Sequence, residues 1–176
     1  MIVVGIDPGT QTTGFGVLQV DGSRLRPLDV GVFLTQSADP MPKRLLSIYT
    51  DINTLLDKYK PDTVATERLF FERNVTNALT VGRAIGVVML ALAQRDIPWA
   101  EYTPMQVKLA VAGTGAADKQ GVQYMVTRLL GLKETPRPDD AADALAVAIC
   151  HAHSYKLSGI GVSTPEARAP RNRVRR

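Results

Sequence analysis

Two short runs in this chain each end on a carboxylate, and no other feature constrains the fold as much. Ile2-Val3-Val4-Gly5-Ile6 leads into Asp7, and Thr63-Val64-Ala65-Thr66 leads into Glu67. Unbroken apolar runs of this length read as strands covered on both faces. Two such strands lying side by side would carry their terminal acids to one edge of a sheet, where α/β folds bind their ligands. Pro8-Gly9 ends the first run, and Gly14 and Gly16 follow at a spacing that lets backbone approach a phosphate closely.

A second pair of acids, Asp140 and Asp143, lies three residues apart and so shares one face of a predicted helix. Pro138-Asp139 marks its start. First-turn acids suit a helix N-terminus, which accounts for Asp139 and partly for Asp140. Asp143 lies a turn further in, where that explanation fades. Its neighbours Ala141, Ala142, Ala144, Leu145 and Ala146 make a helix of mostly small side chains that can lie tight on a sheet and carry both acids to its edge. Four gathered carboxylates repel each other. The natural counter-charge is a pair of divalent metal ions, and two metals in a carboxylate cage point to phosphodiester cleavage.

At 176 residues, with 45% hydrophobic and 22% charged residues, the chain reads as one soluble domain. No apolar run reaches membrane-spanning length; Ala84 to Ala93 reads as a buried helix. No signal-peptide pattern is expected at the start. The single cysteine, Cys150, excludes an intramolecular disulfide and a thiolate metal site, and a reducing cytoplasm is the expected setting. Five arginines against one glutamate after residue 157 account for the whole net charge of +4. The expected division is therefore a domain over 1–157 and a basic, disordered tail over 158–176. Such a tail either grips phosphates non-specifically or only solubilises the end.

The expected elements are strands over residues 2–7, 14–20 and roughly 25–35, the last two joined at the hairpin signal Asp21-Gly22. An amphipathic helix over 40–59, a strand over 63–67, and a long helix from about Val75 to Arg95 follow. That helix is apolar all round, so it needs cover on two sides, one from the sheet and one from another helix or a second copy of the chain. Gly82 and Gly86 permit a close approach. A short strand over 99–102, a helical turn at Thr103-Pro104, and helices over 118–130 and 139–155 complete an α/β domain with a mixed sheet.

Cations that could hold phosphates stand near these acids in sequence: Arg68 and Arg73 after Glu67, and Lys108 and Lys119 before the last helix. Phe70 and Phe71 join aromatic rings to charge, and an exposed ring there could stack on a base; one in the core would not. His151 and His153 lack metal-pair spacing and read as structural.

These motifs resemble the RuvC-type Holliday junction resolvases. The resemblance runs from Met1 to His153 and rests on Gly5-Ile6-Asp7-Pro8-Gly9, Glu67 with Phe70, Gln106-Val107-Lys108, and Asp140-Ala141-Ala142-Asp143-Ala144-Leu145-Ala146 followed by His151 and His153. It implies an RNase H-like fold: a five-stranded mixed sheet in the order 3-2-1-4-5 with helices on both faces. It implies a homodimeric endonuclease that cuts four-way DNA junctions in recombination and repair by paired nicks in strands of like polarity, leaving 5′-phosphate and 3′-hydroxyl ends. Asp7, Glu67, Asp140 and Asp143 are then the catalytic acids, binding two Mg²⁺ ions, with Mn²⁺ as a substitute. Phe70, Arg73, Lys108 and Lys119 are the expected DNA contacts, and RuvA and RuvB the expected branch-migration partners. Three rivals remain: a sugar-kinase-like ATPase, for which the chain is short; an RNase H-like nuclease acting on RNA; and a non-catalytic junction binder.

Overall fold

The computed structural model describes residues 1–68 and 75–159. Three antiparallel strands open the chain: β1 (Ile2–Asp7), β2 (Thr12–Asp21) and β3 (Arg24–Leu34). Helix α1 (Met41–Tyr59) leads to β4 (Thr63–Glu67), and α2 (Val75–Ala93) leads to β5 (Trp99–Tyr102). Helices α3 (Pro104–Ala112), α4 (Lys119–Leu129) and α5 (Asp139–Gly159) close the fold. The sheet order is β3-β2-β1-β4-β5, with β1–β2 and β2–β3 antiparallel and β1–β4 and β4–β5 parallel. This is the expected topology. The hairpin between β2 and β3 turns on Gly22 and Ser23, with Gly22 at φ +52°.

Both faces of the sheet are covered, which is why β1 is apolar from Ile2 to Ile6 and β4 is buried from Thr63 to Thr66. On one face Val4, Ile6, Phe15, Val17 and Val64 pack against α1 and α2 through Ile48, Ile52, Leu56, Ala84, Val88 and Leu92. On the other, Val3, Leu18, Ala65 and Tyr102 pack against α3, α4 and α5. α5 lies almost backbone to backbone on β1 and β2. A Cβ on Gly5 would stand 2.1 Å from the carbonyl oxygen of Ala144, and one on Gly14 would stand 2.0 Å from that of Asp140. The alanine-rich face of α5 fits because neither surface carries bulk there.

Two expectations are adjusted. The turn at Thr103-Pro104 is a full helix, α3, closed by a reciprocal cap: the Gln106 backbone N–H donates to Thr103 Oγ1 (3.2 Å), and the Thr103 N–H donates to Gln106 Oε1 (2.8 Å). α5 runs on to Gly159 rather than ending near Tyr155, across the expected domain boundary. The basic tail beyond it lies outside the described residues.

Candidate active site

Strand alternation decides which way the first two acids face. Asp7 shares a face with Val3 and Gly5, and Glu67 shares one with Thr63 and Ala65; both are the face that α5 covers. The parallel register pairs Ile6 with Thr66, so Asp7 and Glu67 end their strands side by side. Gly14, the register partner of Asp7, is the residue on which Asp140 of α5 rests. Asp143 follows one turn along α5, half-buried.

The charges feel each other. Burial, with the charges of Asp143, Glu67 and Asp140 added to it, pushes the Asp7 carboxyl up to about 7; Lys119 only partly opposes this. Burial and Asp143 likewise raise Glu67, against the pull of Lys108 and Lys119. Burial raises Asp143, while a hydrogen bond from Lys119 opposes the rise. The sequence-predicted acids are therefore one interacting group, and Lys108 and Lys119 reach it. Phe70 and Arg73 lie outside the described residues.

The lysines are held by local structure. Lys108 sits one turn inside the capped start of α3. Lys119 opens α4, whose N-cap Asp118 accepts a hydrogen bond from the Gly121 N–H at 2.7 Å. Its ammonium stands 3.1 Å from both Asp139 and Asp143. Asp139 was legible only as a helix-start acid; its grip on Lys119 depends on how α4 meets α5, which no local motif announces.

The cage is not closed. Among the described residues, no three acidic, histidine or cysteine side chains are arranged to hold one metal ion. The Lys119 ammonium takes up part of the Asp143 charge. The donor set nevertheless fits a hard divalent cation: four carboxylates, at least one of which sheds its proton fully at neutral pH only if positive charge is supplied. His151 is not a donor. It is buried, Thr63 Oγ1 lies 2.8 Å from its Nε2, and the Tyr102 hydroxyl lies 2.8 Å from its Nδ1. Thr63 donates its own proton to the Pro98 carbonyl, so Nε2–H donates to Thr63 and Nδ1 accepts from Tyr102. Burial lowers the His151 pKa to about 4, which keeps the ring neutral. His151 and His153 are structural, as expected; His153 Nδ1 lies 3.3 Å from the Ala110 carbonyl.

A sequence profile of the family described as "Crossover junction endodeoxyribonuclease RuvC" matches residues 3–151. The chain belongs to the RuvC family. A relative of that name from Desulfitobacterium hafniense is 55% identical over 157 residues, which are 89% of this chain and 95% of the relative. One from Chloroflexus aggregans is 54% identical, covering 93% of this chain and 100% of the relative. The solved structure titled "T. thermophilus RuvC in complex with Holliday junction substrate" superposes with a TM-score of 0.85 at 40% identity, covering 92% of this chain and 97% of that one. The yeast mitochondrial resolvase Ydc2, at 16% identity and a TM-score of 0.65, shares the fold. Membership of the RuvC family removes the reading of the chain as a sugar-kinase-like ATPase.

Proposed function

We propose that the chain is a Mg²⁺-dependent endodeoxyribonuclease that resolves four-way DNA junctions by paired nicks in strands of like polarity, leaving 5′-phosphate and 3′-hydroxyl ends. The gathering of Asp7, Glu67, Asp140 and Asp143 at one edge, where burial and then the three neighbouring charges push the Asp7 carboxyl up to about 7, is the observation that carries it. In this reading the four acids hold a pair of Mg²⁺ ions, for which Mn²⁺ can substitute. Held there, such ions would supply Lewis-acid activation of water and stabilisation of the leaving 3′ oxygen. The residues' own parts are distinct. Asp7 and Glu67 fix the reacting edge from rigid strand ends. Asp140 and Asp143 approach it from α5, whose position the glycine contacts determine. Lys108 and Lys119 offset the acids' charge and stand ready for the phosphates flanking the cut. Phe70 and Arg73 would contact DNA at the junction.

A homodimer is part of the proposal. α2 turns Leu79, Arg83, Gly86, Met89 and Leu90 outward along one stripe, with Leu79 57% and Leu90 54% exposed. A Cβ on Gly86 would meet nothing within 4 Å, so the stripe is open at its middle to a second backbone. A two-fold pair presents two identical sites to a nearly two-fold junction. RuvA and RuvB are the proposed branch-migration partners, and the cytoplasm is the proposed setting. No helix among the described residues is long and apolar enough to cross a membrane. The domain is taken as 1–157, with the arginine-rich 158–176 as a basic tail.

The deciding experiment is nicking of a synthetic four-way junction, a linear duplex and an RNA duplex, each with and without Mg²⁺. Metal-dependent, symmetric cutting of the junction alone is expected. Equal cutting of the duplexes would overturn junction selectivity, and cutting in a chelator would overturn the metal.

A further inference from the structure

We propose that Arg44 and the Thr10 hydroxyl form a binding site for a DNA backbone phosphate on the flank of the carboxylate edge. This rests on the nuclease reading above. Arg44 lies in the first turn of α1, and its guanidinium is held by residues of other elements. Nε donates to Thr35 Oγ1 (3.0 Å), just past the end of β3, and Nη2 donates to Thr10 Oγ1 (3.3 Å), in the turn after β1. Thr35 in turn donates its proton to the Thr10 carbonyl at 2.5 Å. The fork is thus fixed in direction before any ligand arrives, with three of its five N–H groups still to be used.

Among the described residues no carboxylate pairs with Arg44. The first turn of α1 contains no acid, and the nearby Asp39 is bound to Lys43 at 2.8 Å. Thr10 is 5% exposed, its oxygen accepts from Arg44, and among the described residues nothing accepts its proton. A half-buried, pre-oriented guanidinium beside an unused hydroxyl proton suits an anion with several acceptor oxygens. A phosphodiester has that geometry.

The position gives the source. Thr10 is three residues beyond Asp7 in the same turn, a reach of at most about 11 Å. At about 3.4 Å of rise per nucleotide, that is within roughly three nucleotides of a phosphate held at Asp7. The expected ligand is therefore a phosphate of the strand being cut, near the scissile one.

The test measures junction binding in a chelator across a series of KCl concentrations, with melting temperature read in parallel. Arg44→Gln should weaken binding about five- to tenfold at moderate salt and lower the slope of log Kd against log[salt] by about 1. Arg44→Lys should keep the slope and lose part of the affinity, because the charge survives without the fork. Thr10→Val should weaken binding about two- to threefold at unchanged slope. Should Arg44→Gln fail to fold, the Lys and Val variants decide. Wild-type slope and affinity in the folded variants, with only a lowered melting temperature, would reduce Arg44 to a structural tie. Failure of the wild-type protein to bind a junction at all would instead sink the nuclease reading.

Discussion

Two long helices on opposite faces of the sheet, α5 and α2, use different kinds of surface. α5 meets the strands through alanines set against glycines, so close that backbone atoms limit the approach. α2 meets α1 and the strands through the larger Val88 and Leu92 as well as Ala84 and Ala91, and keeps a further apolar stripe facing out. A contact between backbones has almost no freedom to adjust, whereas one between long side chains can repack. Two of the four acids, Asp140 and Asp143, sit on the inflexible helix, and the adaptable one carries the stripe where the proposed second copy would dock. Precision is concentrated where charges must converge.

The largest effect should come from Asp7→Asn. Cleavage is expected to fall about a thousandfold or more, with junction binding within a few-fold of wild type. The same variant should be more stable in metal-free buffer at pH 8, by something on the order of 2–4 kcal/mol, because it removes a carboxylate that burial and three neighbouring charges disfavour. Loss of activity together with a lower melting temperature would contradict the repulsion argument. Gly5→Ala tests the fit of α5. Its new methyl would meet the Ala144 carbonyl, and a loss of roughly 2–3 kcal/mol in urea unfolding is expected. Gly86→Ala on α2, with nothing near, should leave monomer stability unchanged or slightly raised. Equal losses at the two glycines would erase the contrast between the helices. Leu90→Glu should shift the proposed dimer toward monomer by about tenfold or more in sedimentation while the far-ultraviolet dichroism is unchanged.

The smallest effects concern pH. The Asp7 carboxyl sits well above its ordinary value, so on the proposed two-metal reading protons and metal would compete for it. Cleavage at low Mg²⁺ should rise with pH through about 7, and more Mg²⁺ should move the midpoint down. A midpoint indifferent to Mg²⁺ would separate Asp7 from the metal. His151 has the opposite sense. Its folded pKa of about 4 lies below the ordinary 6.5, so its contribution is complete above pH 6.5 and declines as pH falls toward 4, by up to about 1.4 kcal/mol per unit. The stability gap between wild type and His151→Phe should narrow between pH 7.5 and 5.

The α5 side of this contrast was the more legible in sequence. Strand-end acids, a helix of small residues and the glycines of β1 and β2 each carry a local signature, and together they placed Asp7, Glu67, Asp140 and Asp143 at one edge. The extent of α3 is set by the Thr103–Gln106 capping box, which the Thr103-Pro104 turn signal alone does not convey. Other features escaped for a different reason. The Lys119 ammonium between Asp139 and Asp143, the Arg44 fork on Thr10 and Thr35, and the Thr63–His151–Tyr102 chain join residues distant in sequence through geometry that only packing creates.

The lone thiol has a practical consequence. Cys150 is fully buried in α5, and burial pushes its thiol up to about 12, so it is almost never a thiolate near neutral pH. Maleimide dyes would pass it by. A cysteine placed at Ser23, on the exposed tip of the β2–β3 hairpin, would then be the one reactive handle per chain, and fluorescence could follow each molecule as it meets DNA without first engineering the native residue away.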